Sequence, residues 1–299
     1  MPKKPERPQL DPKELARYQR HLTLPDIGKD GQRRLKDARV LIIGLGGLGS
    51  PAALYLAAAG VGTLGLAEFD KVEMTNLQRQ ILYDTQQSGH PKLDAAQDRL
   101  NALNPDVTLK CHPEGINASN ARKLCEPYDL ILDGSDNFPT RYLVNDAAWF
   151  THKPLVYGSI FQFEGQVTFF DFTTNEARTE RSPCYRCLFP KMPTPGTIPN
   201  CAEAGVLGAL CGIVGSLQAM EAIKYFTGAG ELLCGRLLAV EALAPRFRIL
   251  NVKHDPNCTL CGTHPNIHSI EPETYIWKGC VPKTTNEGVL DTEESALPI

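Results

Sequence analysis

The sequence lacks a long uninterrupted apolar run, an excess of basic residues, and any internal repeat or low-complexity tract. Its longest apolar stretch, residues 204–217, is continued by Gln218, Glu221 and Lys224 at helical spacing. It is too short to cross a bilayer and predicts a buried helix. The first eight residues are polar and contain no apolar segment of the kind that a secretory signal requires. We therefore expect no membrane association and a cytoplasmic protein.

The charge balance of the chain argues against nucleic acid as a partner. The 31 basic and 34 acidic residues give a net charge of −3, which supplies no positive field for nucleic acid, so no nucleic-acid partner is expected. Hydrophobic residues at 42% and charged residues at 22% are ordinary for a globular chain. A length of 299 residues suits one α/β domain around a single large core.

Strand-like and helix-like segments alternate in the first half of the chain, which predicts right-handed βαβ units and a parallel sheet. The strand-like runs there are 39–43, 64–68, 107–111 and 129–133. A run at 155–158 is followed by another at 166–172 without a helix between them, which indicates antiparallel pairing. Two further runs, at 237–240 and 246–252, close the sheet.

The predicted fold class is therefore α/β, with a Rossmann-like mixed sheet, parallel in its N-terminal part and antiparallel in its C-terminal strands. Four prolines within residues 1–12 predict a flexible arm, followed by one domain over 13–262. The proline-rich segment 179–201 predicts a long crossover loop of the kind that often carries function. Residues 263–299, rich in Pro, Asn, Thr and Glu, predict a peripheral tail.

A glycine-rich turn follows the first predicted strand. Gly44, Gly46 and Gly49 have the G-x-G-x-x-G spacing, in which glycine lets backbone N–H groups approach phosphate oxygens closely. Glu68 ends the second predicted strand, where an acidic residue binds ribose hydroxyls in such folds. The pattern predicts a nucleotide site. Glycine turns also serve helix–sheet packing, and an NAD-dependent oxidoreductase would carry the same turn.

Cationic side chains beyond the second strand favour a triphosphate. Arg79 and Lys92 are expected where the strand ends meet the ligand, and their charges suit phosphates. The alternative for either residue is a solvated helix face. Asp136 follows the fourth strand and is expected at the same crevice, where a carboxylate beside phosphates suits Mg²⁺. Its alternative role is to cap the following helix.

Two C-x-x-C pairs predict a structural zinc clip between the crossover loop and the C-terminal part of the chain. Their four thiolates, from Cys184, Cys187, Cys258 and Cys261, would complete the tetrahedral shell that structural zinc prefers. His254 is an alternative ligand. The other cysteines, apart from Cys201, have no partner at metal spacing and are interpreted as small apolar residues.

Read in order, these motifs resemble the sulfur-carrier adenylyltransferases of the MoeB and ThiF type, which belong to the ubiquitin-activating-enzyme superfamily. The resemblance covers about residues 13–262. It rests on Arg17-Tyr18-x-Arg20, the glycine turn, Asn76-Leu77-x-Arg79-Gln80, Pro91-Lys92, Ser135-Asp136-Asn137, both C-x-x-C pairs, Cys201-x-Glu203-Ala204-Gly205-Val206 and residues 216–224.

The resemblance implies a role for each matching residue. It places the phosphates at Gly47, the magnesium ion at Asp136 and the ribose at Glu68. The family usually has Asp at the last position, so Asp70 is a second candidate for the ribose. The full set implied for ATP is Gly44, Gly46, Gly47, Glu68, Asp70, Asn76, Arg79, Lys92, Asp136 and Asn137.

Two further roles come from the resemblance. Arg20 matches an arginine that enters the neighbouring subunit's active site, which implies a homodimer; the alternative is a surface arginine. Cys201 matches a cysteine that some relatives join to the carrier as a thioester or persulfide; the alternative is a buried structural cysteine.

The implied reaction is adenylation, with ATP, of the C-terminal carboxylate of a small ubiquitin-like sulfur-carrier protein ending in Gly-Gly. Whether that carrier serves molybdopterin, thiamine or thiolated-tRNA synthesis does not follow from the sequence. A non-catalytic adaptor that docks the carrier is a further alternative, against which Arg20, Arg79, Lys92 and Asp136 argue. Only 38 residues follow Cys261, so we expect no complete rhodanese domain and a separate sulfur donor.

Overall fold

The protein is described by a computed structural model over residues 7–173, 182–194 and 205–276. The strands in these ranges are β1 (Arg39–Ile43), β2 (Thr63–Ala67), β3 (Thr108–His112), β4 (Leu130–Asp133), β5 (Leu155–Phe161), β6 (Glu164–Phe170), β7 (Arg236–Glu241) and β8 (Arg246–Asn251). They form one sheet in the order β3-β2-β1-β4-β5-β6-β7-β8. Pairing is parallel from β3 to β5 and antiparallel from β5 to β8, which confirms the predicted mixed sheet.

Helices lie on both faces of the sheet. In chain order they are α1 (Pro12–Arg17), α2 (Gln19–Leu22), α3 (Gly28–Asp37), α4 (Gly49–Ala59), α5 (Lys92–Leu103), α6 (Ala121–Cys125), α7 (Phe138–Phe150), α8 (Tyr185–Leu188) and α9 (Gly208–Thr227), with 3₁₀ turns at Met74–Asn76, Thr85–Gln87 and Pro272–Tyr275. The predicted buried helix corresponds to α9, which begins and ends later than expected. Across the described residues, no helix combines the length and apolar character needed to span a membrane.

The sequence predicts α7 only as a helix that follows Asp136, without bounds, although local signals for its start are present. Asn137 accepts a hydrogen bond from the Thr140 N–H and so caps the helix, and Pro139 stands in its first turn. Both are common signals for a helix start. Much of α7 is buried, so it lacks the polar stripe that marks a surface helix.

The core has two layers, one on each face of the sheet. In β1, Val40 and Ile42 pack into the layer shared with α4 and α9, whereas Leu41 and Ile43 pack into the layer shared with α7. This period of two is expected for a parallel strand that is buried on both faces. The two layers position β1, β2 and β4, whose carboxyl ends carry the candidate site.

The end of the predicted flexible arm is packed against α3. Arg33 Nε donates to the Pro8 carbonyl (3.2 Å) and Lys36 Nζ donates to the Gln9 carbonyl (2.8 Å), while Leu10 is buried. These contacts fix the position of residues 8–10 in the structure, and the flexibility of the arm stays a prediction. The proline content of the arm suggested a loose segment, but composition gives no information about tertiary hydrogen bonds such as these.

Part of the predicted peripheral tail is also attached to the fold. Tyr275 is buried, and its hydroxyl donates to Asp146 Oδ2 in α7 (2.8 Å). A buried tyrosine hydroxyl normally finds such a partner. Tyr275 is thus an anchor within a segment whose described residues are mostly exposed, and the assignment of 263–299 as a tail stays a prediction.

Candidate nucleotide site and cysteine cluster

All ten residues that the resemblance implies for ATP line one cavity at the carboxyl ends of β1, β2 and β4. Chain connections leave β1 in opposite directions, towards β2 on one side and β4 on the other. Ligands of open α/β sheets bind at such a switch point. The residues are Gly44, Gly46, Gly47, Glu68, Asp70, Asn76, Arg79, Lys92, Asp136 and Asn137.

The glycine turn is tightly wound between β1 and α4. Gly44 has φ +79°, and its N–H donates to the Ala67 carbonyl (2.9 Å). A Cβ on Gly49 would overlap the Gly44 carbonyl oxygen, so glycine is required there for close approach. Because α4 begins at Gly49, its N-terminus follows the turn directly, an arrangement that suits an anion.

Glu68 holds this turn against the end of β2. Its Oε2 accepts from the Leu45 N–H (3.0 Å), and its Oε1 accepts from the N–H groups of Phe69 (2.8 Å) and Asp70 (2.9 Å). The carboxylate is buried. Since a carboxylate offers about four acceptor sites, three backbone bonds leave little capacity for a ribose hydroxyl. The ribose role of Glu68 stays a prediction.

Tyr83 supports the same turn from the other side. Its hydroxyl donates to the Leu45 carbonyl (3.0 Å), and Ser50 Oγ donates to the same oxygen (3.1 Å). Burial raises the pKa of Tyr83, which keeps the hydroxyl protonated as a donor. Leu45 is thus held through both its N–H and its carbonyl group.

Two of the cations that line the cavity, Lys92 and Arg79, differ in their partners. The Lys92 side chain is only 5% exposed, and its Nζ pairs with Asp70 Oδ2 (3.1 Å). Arg79 Nη1 donates to the Thr75 carbonyl (3.1 Å). Within residues 7–173, 182–194 and 205–276, no carboxylate is within ion-pair distance of Arg79. The charge of Arg79 is therefore not neutralised by a described side chain.

Two carboxylates near the end of β4, Asp133 and Asp136, lie in different surroundings. Asp133 is buried and accepts from the Ser135 N–H (2.9 Å); burial raises its pKa, and the positive charge of Arg141 opposes this. Asp136 is exposed and lines the cavity. The alternative that Asp136 caps the following helix is wrong, because Asn137 provides the cap.

The cavity includes residues to which the sequence assigned no role. Gln80 is 5% exposed, and its buried Oε1 has no hydrogen-bond partner in the described part of the chain. Such atoms are rare in folded proteins and suggest a ligand. Because Gln80 belongs to the motif Asn76-Leu77-x-Arg79-Gln80, the sequence could have indicated a role for it. Ile160, Val206 and Cys211 reach the cavity from distant elements, without a local signal.

Two predicted site residues remain, Arg20 and Cys201. Arg20 is exposed on α2 and is not among the lining residues. Cys201 lies outside the described residues. Their roles stay predictions.

The two C-x-x-C pairs converge. The Sγ atoms of Cys184, Cys187, Cys258 and Cys261 lie within 4.8 Å of one another. The Cys184–Cys187 separation is 3.9 Å, and Cys187–Cys261 is 3.3 Å. His254 Nε2 instead lies 2.9 Å from the Cys261 carbonyl oxygen, so it is not part of the cluster.

Hydrogen bonding within the cluster shifts its thiol pKa values. The Cys184 side chain lowers the pKa of Cys187 to about 7 and that of Cys258 below its usual range, whereas burial raises the pKa of Cys184. The hydrogen bonds of the cluster therefore favour the thiolate form of Cys187 and Cys258. Thiolate is the form that binds metal ions.

A buried ion pair anchors the first C-x-x-C pair to α7. Arg186 donates to Asp146 through Nε (2.9 Å) and Nη2 (2.6 Å), and its guanidinium lies 4.7 Å from the Tyr142 ring centroid. Asp146 also accepts the Tyr275 hydroxyl. The network joins α7, α8 and the segment beyond the cysteine cluster.

The sheet, the glycine turn and the charged cavity together define a Rossmann-like nucleotide-binding protein with an attached four-cysteine cluster. The family model described as the ThiF family matches residues 18–260. The chain therefore belongs to the ThiF family, which confirms the resemblance.

Curated relatives agree with this assignment. The sulfur carrier protein adenylyltransferase of Thermus thermophilus is 53% identical over 252 residues, covering 84% of this chain and 92% of that protein. The probable adenylyltransferase/sulfurtransferase MoeZ of Mycobacterium tuberculosis is 51% identical, covering 83% and 62%. Adenylyltransferase and sulfurtransferase MOCS3 of Drosophila sechellia is 45% identical, covering 85% and 55%. The chain thus spans less than two thirds of the MoeZ and MOCS3 proteins.

Solved structures share the fold. E. coli MccB with MccA-N7isoASN superposes with a TM-score of 0.71 at 21% identity, covering 83% of this chain and 74% of that one. PaaA gives a TM-score of 0.69 at 24% identity, covering 82% and 76%. At these identities the likeness concerns the fold alone.

Proposed function

We propose that this protein uses ATP to adenylate the C-terminal carboxylate of a small ubiquitin-like sulfur-carrier protein. One observation carries the proposal: the glycine turn, Asn76, Arg79, Lys92 and Asp136 converge in one cavity. The 53% identity to a sulfur carrier protein adenylyltransferase, over 92% of that protein, supports the substrate class. Nothing in these relatives favours an NAD-dependent oxidoreductase or a non-catalytic adaptor.

The reaction is an in-line displacement at the α-phosphorus of ATP. A carboxylate oxygen of the carrier forms a bond to the α-phosphorus. At the same time the bond between the α-phosphorus and the oxygen that bridges it to the β-phosphate breaks, and pyrophosphate leaves with that electron pair. Negative charge builds up on the phosphate oxygens. Arg79 and Lys92, held in advance at the cavity wall, stabilise that charge.

The charge of the cavity supports a requirement for Mg²⁺. Its lining contains four carboxylates, Glu68, Asp70, Glu73 and Asp136, against the three cations Arg79, Lys92 and Arg141. A triphosphate adds further negative charge. The exposed Asp136 carboxylate fits as the oxygen ligand of Mg²⁺ and accepts no hydrogen bond from the described residues. The ion would neutralise phosphate charge when bound.

The four cysteines would hold one zinc ion. At a Zn–S distance of about 2.3 Å, tetrahedral thiolates stand about 3.8 Å apart. The close Sγ separations run from 3.3 to 3.9 Å and all four atoms lie within 4.8 Å of one another, so the cluster brackets this spacing. Four protein ligands leave no open position, so the ion would stabilise the fold and take no part in the reaction.

The active unit is proposed to be a homodimer. Arg20 is exposed and does not line the cavity of its own chain. The family resemblance assigns this arginine to the neighbouring subunit's site, where it would add a further cation beside the phosphates. Cys201 as a covalent acceptor of the carrier and a separate sulfur donor are further parts of the proposal.

Carrier-dependent ATP–pyrophosphate exchange tests the function directly. Purified enzyme is assayed with each candidate carrier ending in Gly-Gly, and with the same carrier lacking its last glycine as the control. Exchange is expected only with an intact carrier, because the terminal carboxylate must reach the α-phosphorus. Tight NAD binding without exchange for any carrier would contradict the proposal.

A further inference from the structure

The short helix that contains Arg20 is not held by apolar packing. Helix α2 has four residues, and none of them is buried. Burial of an apolar face, which stabilises most helices in proteins, therefore contributes little to its position. Arg20 is exposed, and in the part of the chain that the structure describes no carboxylate lies within ion-pair distance of it. Other contacts must fix where this arginine stands.

Two polar side-chain contacts hold α2 instead. At the end of the helix, Thr23 Oγ1 donates to the Arg20 carbonyl (2.9 Å). The next residue after Arg20 is His21, whose Nδ1 lies 2.9 Å from Gln32 Oε1 in α3. Gln32 is fully buried, so its amide is a fixed point of the fold. Of these two contacts, only the His21 bond ties α2 to another helix.

The hydrogen on the His21 ring follows from the second partner of Gln32. Gln32 Nε2 donates to the carbonyl of Ala59, the last residue of α4 (2.8 Å). Because a carbonyl only accepts, the other end of the amide is Oε1, and it faces His21 as an acceptor. His21 Nδ1 therefore carries the hydrogen and donates it. The bond joins α2 to α3 and, through Gln32, to α4.

His21 and Arg20 are adjacent on one short helix, so a shift of the His21 ring displaces the arginine as well. We propose that His21 is a positioning residue, whose bond to Gln32 sets the place from which Arg20 reaches the site of the neighbouring subunit. The inference rests on the proposed homodimer. His21 does not line the cavity of its own chain, so its effect should be felt at the other site of the dimer.

The same two substitutions, arranged in two ways, separate this role from a local one. In the trans heterodimer, one subunit carries His21→Ala and the other carries Asp136→Ala, so the only site with Asp136 receives Arg20 from a subunit that retains His21. In the cis heterodimer, one subunit carries both substitutions and the other is wild type, so the only site with Asp136 receives Arg20 from a subunit that lacks His21. ATP–pyrophosphate exchange is measured for both with a small carrier protein ending in Gly-Gly.

Exchange by the His21→Ala homodimer should fall about 10- to 100-fold, the scale expected when a group that acts on the transition state is misplaced by about 1 Å. The trans heterodimer should exceed the cis heterodimer by about the same 10- to 100-fold. His21→Leu keeps the bulk without the donor and should lose as much. His21→Asn should retain most of the activity, because its Nδ2 donor lies as many bonds from Cα as Nδ1 of histidine.

His268→Ala is the control, since His268 is exposed and does not line the cavity, and it should match wild type. Thermal unfolding checks that every variant is folded. Equal exchange by the two heterodimers, or more exchange by the cis form, would overturn the inference, because His21 would then act within its own chain or not at all. Absence of recovery in an Arg20→Ala with Asp136→Ala heterodimer would instead refute the proposed homodimer. Failure of wild type to exchange with any carrier would refute the proposed function.

Discussion

Replacing Glu68 by Gln tests whether this carboxylate shapes the glycine turn or serves only the ribose. Glutamine has one acceptor oxygen in place of two. Its NH₂ group must then face either the Leu45 N–H or the N–H groups of Phe69 and Asp70, which the carboxylate now accepts at 2.8 to 3.0 Å. At least one buried donor loses its partner. An orphaned donor costs about 1–3 kcal/mol, and we expect the free energy of unfolding to fall by that amount.

Urea unfolding without nucleotide measures this loss. Asp30→Asn serves as the control because it also removes one carboxylate charge but changes a side chain that is 82% exposed, so its effect should stay within about 0.5 kcal/mol. Binding of ATP and of 2′,3′-dideoxy-ATP is then compared in both forms. If Glu68 also binds the ribose, the preference for ATP should decrease in Glu68→Gln.

An unfolding free energy unchanged by Glu68→Gln, combined with a lost preference for ATP, would refute the argument from the turn. The carboxylate would then act on the ribose alone. A loss of stability with the preference intact would mean that Glu68 only positions the turn.

The remaining predictions concern the metal, the charges and the dimer. Metal analysis should find one zinc per chain, and Cys258→Ser with Cys261→Ser should remove it and lower the melting temperature, because the shell loses two thiolates. Carrier-dependent pyrophosphate exchange should fall about 10²- to 10³-fold in Arg79→Ala and in Asp136→Ala, since Arg79 opposes the charge that develops on the phosphates and Asp136 would hold the Mg²⁺ ion. Mixing inactive Arg20→Ala with inactive Asp136→Ala subunits should restore part of the exchange, because one mixed site then contains both groups.

Each of these three predictions has an outcome that would contradict it. Zinc retained in full by the double cysteine variant would place the metal elsewhere. Near-normal exchange in both charge variants would refute the site, with Asp30→Asn as the control for charge. Absence of recovery in verified heterodimers would count against a trans role for Arg20.

The sequence by itself determined the sheet, the glycine turn and the two cysteine pairs, because each depends on a local rule. A strand buried on both faces requires consecutive apolar residues, as in β1, whichever element covers it. Gly49 must be glycine because any side chain would meet the turn's own backbone. A C-x-x-C pair brings two thiols together within a few residues, so only the meeting of the two pairs depended on the rest of the fold.

Only the tertiary structure decided how the candidate site residues are held and which other residues join them. The three bonds of Glu68 depend on the distance between β2 and the turn, which sequence spacing does not report. The space for the Phe69 ring depends on Gly115, 46 positions further along the chain, because a Cβ there would stand 2.8 Å from the ring. Ile160 and Cys211 line the cavity because β5 and α9 pack beside β4 and α4. Burial and contact are properties of three-dimensional distance, so residues far apart in sequence carry no local sign that they share one site.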